Sequence, residues 1–234
     1  MPLKLAEAYR HGREPGTVDY LRRVLRSGMT AVDVGAQIGH LSLVMGQAVG
    51  AHGRVLAIEP APTNLQYIRK NLERNQALNI SVVAAAAGPS TGRRQLNINA
   101  DSSCCSFYDH PLGGNRTSLE VDQISLDELL PDGADLVKLD VEGAELEVIE
   151  GAPRLFASCP RLVVEWNPAC MSAAGHRPST LLAVLSSIGY TLHMIEDGTP
   201  SEAPLEQLAD LAEHGELPVD WYTNLACERD PVAL

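Results

Sequence analysis

Carboxylates stand where several short apolar runs stop. Thr30-Ala-Val-Asp-Val leads into Asp33-Val-Gly-Ala-Gln-Ile-Gly39, and Arg54-Val-Leu-Ala-Ile ends at Glu59. Asp135-Leu-Val-Lys-Leu ends at Asp140-Val-Glu142-Gly143, and Arg161-Leu-Val-Val ends at Glu165-Trp-Asn167. Ionised carboxylates accept hydrogen bonds from hydroxyls, take up protons as general bases and ligate hard cations. The glycine turn narrows the ligand. A dinucleotide fold needs G-x-G-x-x-G so that backbone reaches a pyrophosphate. Counted from Gly35, the second and third glycine positions are Gln37 and His40, so NAD and FAD are disfavoured. No phosphate-cradling P-loop motif is present either. What remains is D-x-G-x-x-x-G, with Ala36 keeping the turn small. Glu59 lies 26 residues after Asp33, where a carboxylate can accept both hydroxyls of a ribose. A nucleoside without phosphates, rimmed by acids, points to S-adenosylmethionine, whose sulfonium is cationic.

Alternating strand-like and helix-like stretches must carry these residues. Strands are predicted at 30–35, 54–59, 81–85, 135–140, 161–166 and 190–195, with a seventh at the sheet edge over 221–227. Helices are predicted over 17–26, 38–49, 63–78, 143–157, 178–188 and 202–213, with a short one at 126–130. The pattern describes an α/β, doubly wound, mostly parallel seven-stranded sheet with helices on both faces. Residues 90–133 break the rhythm. Arg94–Asn99 alternates like an exposed strand, and 100–116 is a turn-rich loop of the kind that carries function.

Length and composition set outer limits. The chain has 234 residues, 45% of them hydrophobic, enough for one globular core without disulfides or a structural metal. The net charge of −12 disfavours nucleic acid, which binds mainly through phosphate neutralisation. Charge is uneven: Lys4, Arg10, Arg13, Arg22, Arg23 and Arg26 crowd the N-terminal segment, while 196–220 contain acids but no Lys or Arg. The 5 cysteines form no C-x-x-C pair, and no apolar run suits a signal peptide or a membrane span. A reducing cytoplasm is the expected compartment.

The segments VDVGAQIGHLSL, RVLAIEPAPTNLQYIRKNLERN and DLVKLDVEGAELEVIEGA resemble the FkbM-type family of S-adenosylmethionine-dependent methyltransferases, the K-x-D-V-E-G-A-E run most of all. The likeness covers roughly residues 28–168. It implies a Rossmann-like class I methyltransferase core and O-methylation of hydroxyls on sugars or natural products. By resemblance, Asp33, Gly35, Ala36, Gly39 and Glu59 fall at cofactor positions, and Asp140 stands beside the cofactor cleft. His40, where small or apolar residues are common, and the unmatched 100–116 loop depart from the pattern. The domain is then 28–234, with 90–133 as acceptor insertion. The helical segment 1–27 is expected to be a lid or a dimer contact.

A hydroxyl is a weak acid, so its methylation calls for a base or a metal. Asp140 is the first candidate base, followed by Glu142 and Glu165. His110 could serve if the loop closes as a lid. Asp140 and Glu165 with Asn167 are candidate ligands for Mg2+. Glu145 reads as structural and Lys138 as a salt-bridge partner. Cys104 and Cys105 are read as loop residues. Trp166 and Tyr222 read as packing rather than an acceptor pocket, and the scarcity of aromatics favours a polyol, sugar or aliphatic hydroxyl as the small-molecule acceptor. N-methylation and a non-catalytic cofactor-binding module are the alternatives.

Overall fold

The computed structural model describes residues 14–99, 104–114, 116–196, 199–202, 205–214 and 217–229. Helix α1 (Pro15–Val24) precedes β1 (Thr30–Val34), α2 (His40–Val49), β2 (Arg54–Ile58), α3 (Pro62–Arg74) and β3 (Ile80–Val83). An inserted stretch holds β4 (Ala86–Ala87), β5 (Gly92–Asn99), β6 (Arg116–Ile124) and α4 (Leu126–Leu129). Then follow β7 (Leu136–Leu139), α5 (Glu145–Glu150), α6 (Pro153–Ser158), β8 (Arg161–Trp166) and α7 (Pro168–Ala173). The chain closes with α8 (Pro178–Ile188), β9 (Thr191–Glu196), β10 (Thr199–Glu202), α9 (Leu205–His214) and β11 (Thr223–Glu228).

The main sheet runs β10-β9-β11-β8-β7-β1-β2-β3. Strands β3, β2, β1, β7 and β8 are parallel neighbours, whereas β11 lies antiparallel between β8 and β9. This is the mostly parallel seven-stranded sheet read from the sequence, lengthened by β10 at one edge. Strands β1 and β7 are buried on both faces, which is why they read as nearly unbroken apolar runs. Strand order reverses between β1 and β7, and ligands of open α/β sheets bind at such a switch point.

Four elements differ from expectation. The strand at 221–227 is interior, because Leu225, Ala226 and Cys227 are all fully buried between neighbours. The helix expected over 143–157 is two helices: Pro153 has no amide to donate and its ring would clash with a preceding carbonyl, so the chain breaks at Gly151-Ala152. Asn167-Pro168 opens the unforeseen helix α7, with the Asn167 side chain accepting from the Cys170 amide. The insertion is a second sheet, ordered β4-β6-β5, rather than mainly loop. Its β6 escaped detection because most of its side chains face solvent and only Val121 and Gln123 are buried.

The first helix is docked. Tyr20 and Leu21 are fully buried among residues of α2, β1 and β2. No helix among the described residues is long and apolar enough to cross a membrane.

Candidate active site

One cleft opens at the switch point. The empty space within it, open solvent at the mouth included, is about 890 Å³. The turn after β1 forms its floor, Glu59 and Asn64 one wall, Ala85–Ala87 and Leu96 a second, and Phe107 of the inserted loop its cover.

The turn depends on the absence of a side chain at residue 35. Gly35 has φ +80°, and a Cβ there would lie 1.7 Å from the Asp140 carbonyl oxygen. The amides of Gly35 and Ala36 both donate to the Ile58 carbonyl at 3.0 Å, tying the turn to β2. Gly39, also at φ +80°, precedes α2, and its amide donates to the Ala36 carbonyl at 2.7 Å. Residue 37 takes φ +51° and turns its amide to Glu59 Oε2 at 2.9 Å.

Glu59 is 4% exposed. Its Oε1 accepts from the Ala61 amide at 2.8 Å and from Asn64 Nδ2 at 3.2 Å. A carboxylate offers about four acceptor positions. Three are taken, and the remaining one is on Oε2. The sequence reading assigned both hydroxyls of a ribose to this carboxylate, and one acceptor position is open in this structure. Burial pushes the Glu59 carboxyl up to about 7, against the pull of its donors.

A group of carboxylates surrounds one lysine on the other side. Lys138 is 1% exposed and places Nζ 2.5 Å from Asp140 Oδ2. Burial works against its charge, but Asp140, Glu14, Glu165 and Asp33 outweigh it and keep it an ammonium. Asp33, buried at 2%, accepts from Ser42 Oγ at 2.5 Å, and burial raises its proton affinity. Burial and then the charges of Asp140 and Glu142 raise Glu165 well above the usual carboxylate range. Glu14 reaches the cleft from the start of α1, and its Oε2 accepts from Asn224 Nδ2 at 3.1 Å.

The structure thus brings Asp33, Gly35, Ala36, Glu59, Asp140 and Glu142 to the cleft wall. Glu165 sits behind, with a carboxylate oxygen within 4.8 Å of those of Asp140 and Glu142. Glu145 is structural: its Oε1 accepts from the amides of Val141 and Gly143 at 3.0 and 3.3 Å. Trp166 is core, edge-on to Trp221 at 5.8 Å, and Tyr222 is 42% exposed. His110 departs from the open-loop reading. Its side chain is 3% exposed and stands behind Glu142 rather than in the cleft.

Of the donor set expected for Mg2+, Asp140 and Glu165 lie together with Glu142, with carboxylate oxygens within 4.8 Å of one another, whereas Asn167 is engaged elsewhere. Asn167 Oδ1 is spent on capping α7, and Asp140 already holds the ammonium of Lys138. The Lys138 ammonium, paired with Asp140, competes with a metal for that carboxylate. The cradle does fit S-adenosylmethionine: a turn too tight for any side chain at residue 35, one open acceptor position on Glu59, apolar walls for a base and an acidic rim for a sulfonium.

Sequence reasoning missed Asn64, Leu96 and Phe107. The latter two enter from the second sheet and its loop, which carried no local signal beyond the polar alternation of Arg94–Asn99.

Comparison with known proteins agrees. Residues 33–192 match the methyltransferase FkbM domain. Methyltransferase sdnD of Sordaria araneosa is 30% identical over 203 residues, covering 72% of this chain and 76% of that protein. Hexuronic acid methyltransferase AglP of Haloferax volcanii is 29% identical over 165 residues, covering 66% of this chain and 60% of its own. The crystal structure of methyltransferase FkbM from Methylobacillus flagellatus KT shares the fold, with TM-score 0.57 and 22% identity. That match takes in 94% of this chain and 50% of the other, so this chain spans half of that protein's length. SMU.1697c from Streptococcus mutans, solved with SAH, also shares the fold (TM-score 0.52, 11% identity, 91% of this chain and 94% of that one).

Proposed function

This chain belongs to the FkbM methyltransferase family, and from that premise we propose that it transfers a methyl group from S-adenosylmethionine to a hydroxyl of a small sugar-like or natural-product acceptor. The observation that carries the reading is the Gly35 turn set beside Glu59, at the switch point of the sheet. Bound there, S-adenosylmethionine supplies an electrophilic methyl group and departs as a neutral thioether.

The chain's own residues do the rest. The turn at Gly35–Gln37 and Glu59 hold the nucleoside, with Glu59 Oε2 accepting from a ribose hydroxyl. Ala86, Leu96 and Phe107 exclude water around the base. Asp33, Asp140 and Glu142 present negative charge to the sulfonium side. Lys138 limits the mutual repulsion of these acids. The hydroxyl must lose a proton as the new bond forms, and the carboxylates that follow β7 and line the cleft, Asp140 and Glu142, are the groups available to take it. The name of AglP guides the first acceptors to test.

Calorimetry with S-adenosylmethionine should show binding to the parent chain and a loss of about tenfold or more in Glu59→Ala, from one lost hydrogen bond and a disrupted turn. A methyl-transfer screen over glucuronic acid, galacturonic acid, neutral sugars and polyols then identifies the acceptor. Turnover should be unchanged by EDTA. Equal affinity of parent and Glu59→Ala, or no affinity in either, would overturn the reading.

A further inference from the structure

We propose that His110 is a positioning residue: donating from Nε2, it aims Glu142 so that this carboxylate, rather than Asp140, receives the proton of the acceptor hydroxyl. The inference rests on the methyltransferase reading above and assigns the proton within it.

Glu142 is held in an unusual way. It takes φ +54°, a left-handed conformation that a residue with a side chain rarely adopts. The inserted loop grips it at two points. Ser106 Oγ donates to the Glu142 carbonyl at 2.7 Å, and His110 Nε2 lies 3.0 Å from Glu142 Oε2. Cys170 Sγ of α7 lies 3.3 Å from His110 Nε2 and 3.5 Å from the same oxygen. Both side-chain donors converge on Oε2. Oε1 is left for the cleft, which Glu142 lines and His110 does not.

The other ring nitrogen decides the proton's place. The Leu112 amide donates to His110 Nδ1 at 3.1 Å, so Nδ1 is an acceptor and Nε2 carries the hydrogen. Burial opposes charge on the ring, whereas the neighbouring thiols and the Glu142 carboxylate favour it more strongly. Charge would add a hydrogen at Nδ1 and break the Leu112 contact, whereas Nε2 carries its hydrogen in this neutral tautomer and in the imidazolium alike.

Asp140 is already engaged: its Oδ2 accepts from the Lys138 ammonium at 2.5 Å. The groups facing Glu142 are Asp140 and Glu165 from the strand ends, Cys105 and His110 from the loop and Cys170 from α7. Burial and the Asp140 charge raise its proton affinity, against the hydrogen bonds and charge of its partners. In the step itself, an acceptor oxygen lone pair forms the new bond to the methyl carbon. The sulfur–methyl pair stays on sulfur, and the hydroxyl proton passes to Glu142.

Oxygen, nitrogen and sulfur of Glu142, His110 and Cys170 lie within 4.8 Å of one another, a set that zinc also favours. Zinc ligation through Nε2 requires that nitrogen to be bare, and a metal-bound His donates from its other nitrogen. The Leu112 amide already occupies that position as a donor, which favours the metal-free triad.

Nitrogen-15 NMR of histidine-labelled full-length protein tests this without an acceptor. We expect a one-bond imidazole N–H signal from Nε2 of His110, identified by its absence in His110→Gln and displaced in Glu142→Gln. A bare Nε2, or one zinc per chain by elemental analysis, would overturn the proposal. With an acceptor from the screen, Glu142→Gln should lower kcat by about 100-fold or more. His110→Ala should lower it about tenfold, and His110→Gln, which keeps an N–H donor, should recover to within about threefold of the parent. Wild-type turnover in Glu142→Gln would assign the proton elsewhere. Should His110→Ala fail to fold, the His110→Gln rescue and the NMR signal still decide. Calorimetry with S-adenosylmethionine on every variant separates the outcomes: failure of the parent to bind removes the methyltransferase reading, whereas normal binding with a bare Nε2 removes only this one.

Discussion

Glu59 shows how one buried carboxylate couples the site to pH. Its carboxyl sits at about 7 in the folded chain against an ordinary 4.5. Between those values the folded state keeps a proton that the unfolded state has released. Stability therefore falls as pH rises from about 4.5 to 7 and levels off above. Glu145, also at about 7, acts in the same direction. The melting temperature of the ligand-free protein should decline between pH 5 and 7.5, and Glu59→Gln should flatten that decline. The Glu59 share is on the order of 3 kcal/mol, from a shift of about 2.5 at 1.36 kcal/mol each. An unchanged slope in Glu59→Gln would show that the carboxyl titrates normally. The site could be foreseen at this scale for Asp33, Gly35, Glu59 and Asp140, because each ends a strand by its own local chemistry. Lys138 was legible as an ion-pair partner, since Asp140 lies two residues on, whereas the hold of His110 and Ser106 on Glu142 was not, because both are more than 30 residues away in sequence.

At the scale of elements, the second sheet acts as a bracket for the inserted loop. Arg94 on β5 stacks its guanidinium 4.0 Å from the Phe107 ring centre and bonds Tyr108 at 3.2 Å. The same guanidinium pairs with Glu147 of α5, joining the second sheet to the main domain. Phe107 covers the cleft, and Ser106 and His110 lie close by on the same loop. Arg94→Ala removes a cation–π contact of about 0.5–2 kcal/mol together with a half-buried ion pair. It should speed proteolytic nicking of the 104–114 loop and raise the acceptor KM about tenfold while changing kcat less. Nicking at the parent rate would show that the loop is held by other contacts. This arrangement was hidden in the sequence, since Arg94 and Glu147 are 53 residues apart. Nothing in their local patterns marks them as partners.

In the whole molecule the two ends of the described chain are stitched together. Tyr20 of α1, fully buried, donates to Glu228 Oε1 of β11 at 2.7 Å, across 208 residues. Glu14 and Asn224 repeat the link beside the cleft. The first helix thus closes the core and delivers an acid to the active site. Tyr20→Phe should lower stability by about 1.5–3 kcal/mol, the worth of a hydrogen bond to a charged group, in denaturant unfolding. Its affinity for S-adenosylmethionine should stay near that of the parent. A larger loss of affinity than of stability would make α1 a part of the binding machinery instead.

Periodicity and turn chemistry were enough to determine the alternating architecture, the glycine turn and the strand-end acids. Each of these is set by residues within one turn or one strand of each other. Tertiary structure alone decided that β11 is interior, that Asn167 caps α7 instead of joining the acids, and that His110 backs Glu142 instead of entering the cleft. Those outcomes depend on burial and on long-range pairing. The same Asp, His or Lys acquires its proton affinity and its partner only once folding removes water and brings distant segments within a few ångströms.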